Sequence, residues 1–190
     1  AALIAGHSIN AGTHGKQALK SHPRLKIMAC DATNTDDLHS LLEGQDAVVS
    51  LIGHVKGSPA NVQTDSIEKV IAVMNELKID RLVSLTGTGV RFPGDKITFI
   101  DRILNSSISL IDPQRIRDGI NHVEVLKKSN VSWTLIRVLK LQNTAPKPFS
   151  LSPNGPTKVY VSRQDVAEAI IEVLRDSSFV RQAPIISKLV

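Results

Sequence analysis

The stretch Ser84-Leu85-Thr86-Gly87-Thr88-Gly89 sets hydroxyls and glycines at the end of an apolar run that begins at Arg81. Placed after a buried strand, such residues can face a ligand, and Thr86 or Thr88 could orient a carbonyl; the same letters also make a simple turn. A second group, Leu51-Ile52-Gly53-His54, ends another apolar run. There Gly53 would let a ligand approach the backbone closely, while His54 could meet phosphate or ribose, or could be no more than an exposed loop histidine. Lys140, just beyond Arg137 and Val138, could approach a substrate or stand as a solvated cation. His122 shares a helical stretch with Glu124, where a surface or packing role is the simpler reading than acid/base work. The six histidines fall at scattered positions without a close ligand pair, and no G-x-S-x-G elbow occurs. Neither metal chemistry nor a serine hydrolase is therefore expected.

The elements that must position these residues are strands alternating with amphipathic helices. Apolar runs at Ser8 to Gly12, Leu25 to Cys30, Ala47 to Ile52, Arg81 to Thr86 and Ser132 to Arg137 have strand length and no alternation, so they read as central strands buried on both faces. A weaker run, Thr157 to Val161, suits an edge. Helical spacing appears over Thr35 to Leu42, Ala60 to Leu77, Pro113 to Lys128 and Arg163 to Leu174. In the first, Thr35 supplies a capping hydroxyl and Gly44 the stop; in the third, Ile116, Ile120, Val123 and Leu126 form the expected core stripe; in the last, Ser162 is the cap. Proline and glycine gather in Arg91 to Asp95 and Ala145 to Pro156, which read as loops at the rim of a ligand crevice. The pattern implies an α/β fold: a doubly wound, mostly parallel sheet with helices on both faces.

Composition narrows the partners. With 190 residues, 42% of them hydrophobic, the chain fits one domain over residues 1–190. Its net charge of +5 is spread along the chain and aromatics are only 3%, so a stacking platform for nucleic acid is not expected. No apolar run reaches the about 18 residues needed to span a bilayer. The lone Cys30 suits a buried thiol in a reducing compartment, so a cytoplasmic protein without membrane or nucleic-acid partners is expected.

Six pieces in order carry a family likeness: Ala5-Gly6-His7, Cys30-Asp31-Ala32-Thr33, Asp46-Ala47-Val48-Val49-Ser50-Leu51-Ile52-Gly53, Arg81-Leu82-Val83-Ser84-Leu85-Thr86-Gly87, Trp133-Thr134-Leu135-Ile136-Arg137 and Ser162-Arg163-Gln164-Asp165-Val166-Ala167. Together they resemble the NmrA-like branch of the atypical short-chain dehydrogenases/reductases, the group that includes flavin or biliverdin-IXβ reductase. The resemblance implies a Rossmann-type NAD(P)-binding domain. It also implies a first strand and a G-x-x-G-x-x-G loop that this sequence does not contain, so the domain is expected to be N-terminally incomplete.

By that resemblance, Thr13 and His14 meet the adenosine ribose, and Asp31 and Ala32 the adenine. Leu51, Ile52, Gly53, His54, Leu85, Thr86, Gly87, Arg137 and Val138 complete the cofactor set. The ribose turn holds no acid but has Lys16 nearby, which favours NADPH over NADH; without a ligand, His14 and Lys16 would simply form a solvated turn. Classical members use a Tyr-x-x-x-Lys pair for proton transfer, yet the one tyrosine here, Tyr160, lies outside the expected helix. The flavin reductase group implies a serine next to Thr86, where Gly87 stands. Thr86, Thr88 and Lys140 remain as candidate catalytic residues. The expected function is an NADPH-dependent reductase of a small acceptor such as a quinone or flavin. The alternative is an NAD(P)-sensing regulator of the NmrA type; a sugar-nucleotide epimerase is disfavoured by the short C-terminal portion.

Overall fold

The computed structural model describes residues 1–15 and 19–188. In chain order it places β1 (Ile9–Thr13), β2 (Leu25–Ala29), α1 (Thr35–Leu42), β3 (Ala47–Ser50), α2 (Val62–Leu77), β4 (Arg81–Gly87), α3 (Phe99–Ile111) and α4 (Pro113–Lys128). There follow β5 (Ser132–Val138), β6 (Lys140–Gln142), β7 (Phe149–Ser152), β8 (Tyr160–Ser162), α5 (Arg163–Arg175) and β9 (Ile185–Lys188).

A five-stranded sheet runs in the order β3-β4-β5-β9-β7. β3, β4, β5 and β9 are parallel and only β7 runs against its neighbour. Alternate residues of the central strands feed two cores. Leu82, Trp133 and Leu135 meet Ile67, Val70, Met74 and Leu126 on the side of α2 and α4, while Val83 and Ile136 meet Val166, Ala169, Ile170 and Val173 of α5. Apolar burial on both faces makes the sheet doubly wound, as the unalternating runs of β4 and β5 predict.

The expectation of two-sided burial does not hold for the other strands. β1 and β2 form a separate parallel pair, and Ile27 and Val49 are each 40% exposed. The pair is tied to the rest through α1, which packs on β1 and on α2 and adds an exposed His39 to Glu76 contact of 2.7 Å.

Local chemistry explains most boundaries. The cap of α1 is Asn34 rather than Thr35, because the Asn34 side chain accepts from the N–H groups of Asp36 and Asp37. Gly44 at φ +71° ends that helix as expected. Ser162 and Asp165 form a reciprocal capping box at the start of α5. β7 lies inside the stretch expected to be a plain loop; a four-residue edge strand gives too little periodicity to show in sequence. α3 is not among the helices expected either, since its buried positions are Asp101 and Asn105 instead of apolar residues.

Arg137 fastens the two proline- and glycine-rich loops to the sheet. Its side chain is fully buried, and Nε donates to the Ala183 carbonyl at 2.7 Å. One terminal nitrogen donates to Val90 O and Asp95 Oδ2, the other to Asp95 Oδ1 and Pro153 O. The Phe92 ring lies 4.6 Å from the guanidinium carbon. All the donors of a guanidinium are thus engaged. Arg137→Met would leave Asp95 buried and unpaired, so we expect a loss of about 3–5 kcal/mol in unfolding free energy, measured by urea denaturation.

Candidate functional site

β3 and β4 are paired in register to Ser50 opposite Ser84. The residues that follow, Leu51 to His54 and Leu85 to Gly87, therefore leave the sheet side by side. Leu51 is 61% exposed, and a side chain built on Gly53 would meet nothing within 4 Å. This is open surface at the carboxyl ends of two neighbouring parallel strands, the place where α/β sheets bind ligands.

Behind it stands a buried polar seam between α2, β4 and α4. The Asp118 carboxylate, 1% exposed, accepts from the backbone N–H groups of Gln63 (2.8 Å) and Thr64 (3.0 Å), and from the Thr64 hydroxyl. It thereby caps α2, whose own Asn61 makes no side-chain cap bond. The fourth partner is His54, with Nε2 at 2.8 Å from Asp118 Oδ2. Burial alone would raise the Asp118 pKa, but the hydrogen bonds from Thr64, Gln63 and His54 outweigh it and hold the carboxyl below its ordinary value. An ionised Asp118 can only accept, so His54 carries its proton on Nε2 and keeps Nδ1 as the working nitrogen. Nδ1 has no protein partner among the described residues and is not sealed from solvent.

One turn along α4 from Asp118, His122 is 2% exposed, with Nε2 3.1 Å from Ser84 Oγ and Nδ1 unpartnered. Burial pushes its pKa down to about 4, against a smaller upward pull from Asp118. Gly119 completes the seam: a side chain there would come within 2.8 Å of Val90 Cγ2 and 3.2 Å of Thr86 Oγ1. Only glycine lets α4 lie this close to β4. α4 consequently faces inward with Asp118, Gly119 and His122 beside Val123 and Leu126, and of the expected stripe Ile120 alone is turned out, at 46% exposure.

A second group forms where β1 and β2 end. Asp31 is exposed and bonds the N–H (2.9 Å) and hydroxyl (2.7 Å) of Thr33. These bonds, with a smaller contribution from nearby His14, hold its carboxyl below the ordinary value. The structure thus brings His14 and Asp31 together. The Thr13 hydroxyl reaches Met28 O at 3.5 Å, and Ala32 packs against the core. Lys16 lies outside the described residues. Cys30, between Gly12 and this loop, has its thiol pKa raised by burial and by Asp37 and Asp31, so it stays protonated and inert.

Other expected site residues are placed elsewhere. Arg137 is wholly engaged inside the protein and has no donor left for a cofactor. Val138 and Leu85 pack into the core beneath α5. Thr88 is fully buried and bonded to Asp101 and Asn105, which removes it from any substrate. Thr86 is 6% exposed, at the back of the open surface. Lys140 is exposed on β6, two residues beyond the Val138 that pairs with Gly87, and its Nζ lies 5.5 Å from the ring centre of Tyr160. Asp118 is the residue that sequence reading missed, although Asp118, Gly119, His122 and Leu126 share a face at helical spacing.

These features define a Rossmann-type domain with its crevice beyond parallel strand ends. A sequence profile of the NAD(P)H-binding family matches residues 2–177, and the chain belongs to that family. Curated protein sequences give no match. Among solved structures, a putative epimerase from Bacteroides thetaiotaomicron superposes with a TM-score of 0.79 at 17% identity, covering 100% of this chain and 89% of that one. A putative exported protein from Burkholderia pseudomallei gives 0.75 at 18% identity, over 97% and 89%. A short-chain dehydrogenase/reductase from Veillonella parvula, in complex with NADP, gives 0.70 at 17% identity, over 88% and 74%. At these identities the likeness is one of fold.

The exposed His14 and Asp31 suit an adenosine, and the open backbone at Gly53 beside His54 suits a flat ring. Asp118 takes the Gln63 and Thr64 amides at the start of α2, and Asn34 takes those of Asp36 and Asp37 in α1, so these N–H groups are already engaged.

The seam makes stability pH-dependent. His122 titrates at about 4 in the folded protein, so between pH 6.5 and 4 the unfolded chain takes up a proton that the folded one refuses. Stability is full above pH 6.5 and falls by up to about 3 kcal/mol as pH drops through this window. Urea unfolding at stepped pH should show the decline, and His122→Gln should flatten it.

Proposed function

We propose that the protein is an NADPH-dependent reductase of a small planar acceptor such as a quinone or flavin, working in the cytoplasm. The observation that carries the reading is His54, fixed by a buried carboxylate just beyond β3, beside backbone open enough for a ring to lie against. Thr13, His14, Asp31 and Ala32 would hold the adenosine half of the cofactor. Leu51, Ile52, Gly53, Thr86 and Gly87 would hold the nicotinamide half. The preference for NADPH rests on the ribose turn, where His14 stands without an acid at the same position.

The bound dihydronicotinamide supplies a hydride, so the protein needs chiefly to position two rings and deliver one proton. Asp118 accepts from Nε2 and holds the His54 ring in one orientation, in the way a buried carboxylate orients a catalytic imidazole. His54 takes a proton from solvent on Nδ1 and passes it to the acceptor oxygen or nitrogen that gains charge, returning to the neutral ring with Nε2–H on Asp118. This would replace the absent Tyr-x-x-x-Lys pair, since Tyr160 lies on β8 and is 52% exposed.

The second reading, an NAD(P)-sensing regulator, is favoured by the burial of Thr88 and the full engagement of Arg137, which leave few polar groups to grip an acceptor. Following NADPH absorbance against a panel of quinones, flavins and aldehydes separates the two. Oxidation with at least one acceptor is expected; tight cofactor binding with no turnover across the panel would favour the regulator. With an active acceptor, His54→Gln should lower kcat about 10²-fold while cofactor affinity holds, as for loss of a general acid.

A further inference from the structure

α3 is amphipathic in the wrong sense for a helix on a monomer. It turns Asp101 and Asn105 inward, at 1% and 8% exposure, where Arg91 pairs with both Asp101 oxygens at 3.1 and 2.8 Å. It turns Phe99, Ile100, Ile103, Leu110 and Ile111 outward, at 77, 52, 48, 85 and 84% exposure. At 100° per residue these five and Ser107 cover the face opposite the buried one. With about 150–250 Å² for a free large side chain, the exposed part is on the order of 650 Å². That reaches the upper end of what a soluble monomer leaves bare, about 300–600 Å².

We propose that this face is the interface of a homodimer, in which α3 packs antiparallel on α3 of a second copy. Ile100, Ile103, Ser107 and Leu110 follow a three-four-three spacing, the seam along which helices interlock. A two-fold axis passing the helix at Asn105 sets Ile100 against Leu110 of the other copy, Phe99 against Ile111, and Ile103 against Ser107. Each bulky outward residue meets an apolar one, except Ile103, which fills the space left by the small Ser107. A sequence that is complementary to its own reverse fits a second copy better than an unrelated partner. The area per copy approaches the about 800 Å² that each partner contributes to a stable complex. A membrane surface suits the helix less well: its polar flank is serine-rich, with Ser106 and Ser109, and Arg102 is its only cation, whereas interfacial helices carry several.

Sedimentation velocity across the micromolar range tests this. A species of twice the monomer mass is expected, with Leu110→Glu shifting it to monomer while its circular dichroism stays that of the parent. For geometry, Ile103→Cys and Ser107→Cys are made separately on a Cys30→Ser background and oxidised alone and mixed. The mixture should form the disulfide-linked dimer several-fold faster than either alone. A parent that stays monomeric throughout the range overturns the proposal. So does a dimer that survives Leu110→Glu, cross-linking that is no better in the mixture, or a monomer that floats with neutral lipid vesicles.

Discussion

Asp118 reaches out of α4 to bond the first turn of α2 and the histidine that follows β3, so that three separate parts of the chain meet on one carboxylate. A helix start buried without a partner would cost about 1–3 kcal/mol for each stranded N–H. Here the partner comes from another helix, because Asn61 does not supply it. The arrangement fixes the spacing of α2 and α4 over the sheet, and Gly119 beside it sets how deeply α4 can settle on β4. The position of His54 is a by-product of that closure, and the candidate chemistry depends on it.

Buried charge elsewhere is used for architecture. Arg137 and Asp95 hold two loops against β5 and β9, and Lys158 pairs with Asp165 at 3.0 Å while donating to the carbonyls of Lys147 and Pro148. Burial would raise the Asp165 pKa, but Ser162, Lys158 and Lys147 bond it strongly enough to lower it. Such pairs add little net stability over apolar residues of the same size, yet they penalise any other loop arrangement. The irregular C-terminal third is thereby held in one form.

Much of the architecture was legible in the letters because it rests on long apolar periodicity. The runs at Arg81 and Ser132, and the helical stripes of α2 and α5, gave elements within a residue or two of their observed ends. The short β6, β7 and β9 were not legible, since three or four residues carry no period and their pairing is decided by distant chain. α3 escapes because its inward residues are polar, and in α4 Ile120 yields its expected inward place to Asp118 and Gly119. At the site, Gly53 and His54 could be read as candidates, but the role of His54 could not, because Asp118 lies 64 residues away and nothing local links them. Arg137 shows the converse: a cation at a strand end reads as a ligand, and only the positions of Asp95 and Pro153 reveal that it serves the interior.

Among the described residues, β1 and β2 form a small sheet and β3 and β4 belong to a large one. His14 and Asp31 ride on the small one, while Leu51 to His54 belong to the large one, and their common support is α1 lying on β1 and α2. Packing of α1 is thus what joins the two groups across the seam between the sheets. An elongated molecule gripped at both ends would act as a staple across the seam.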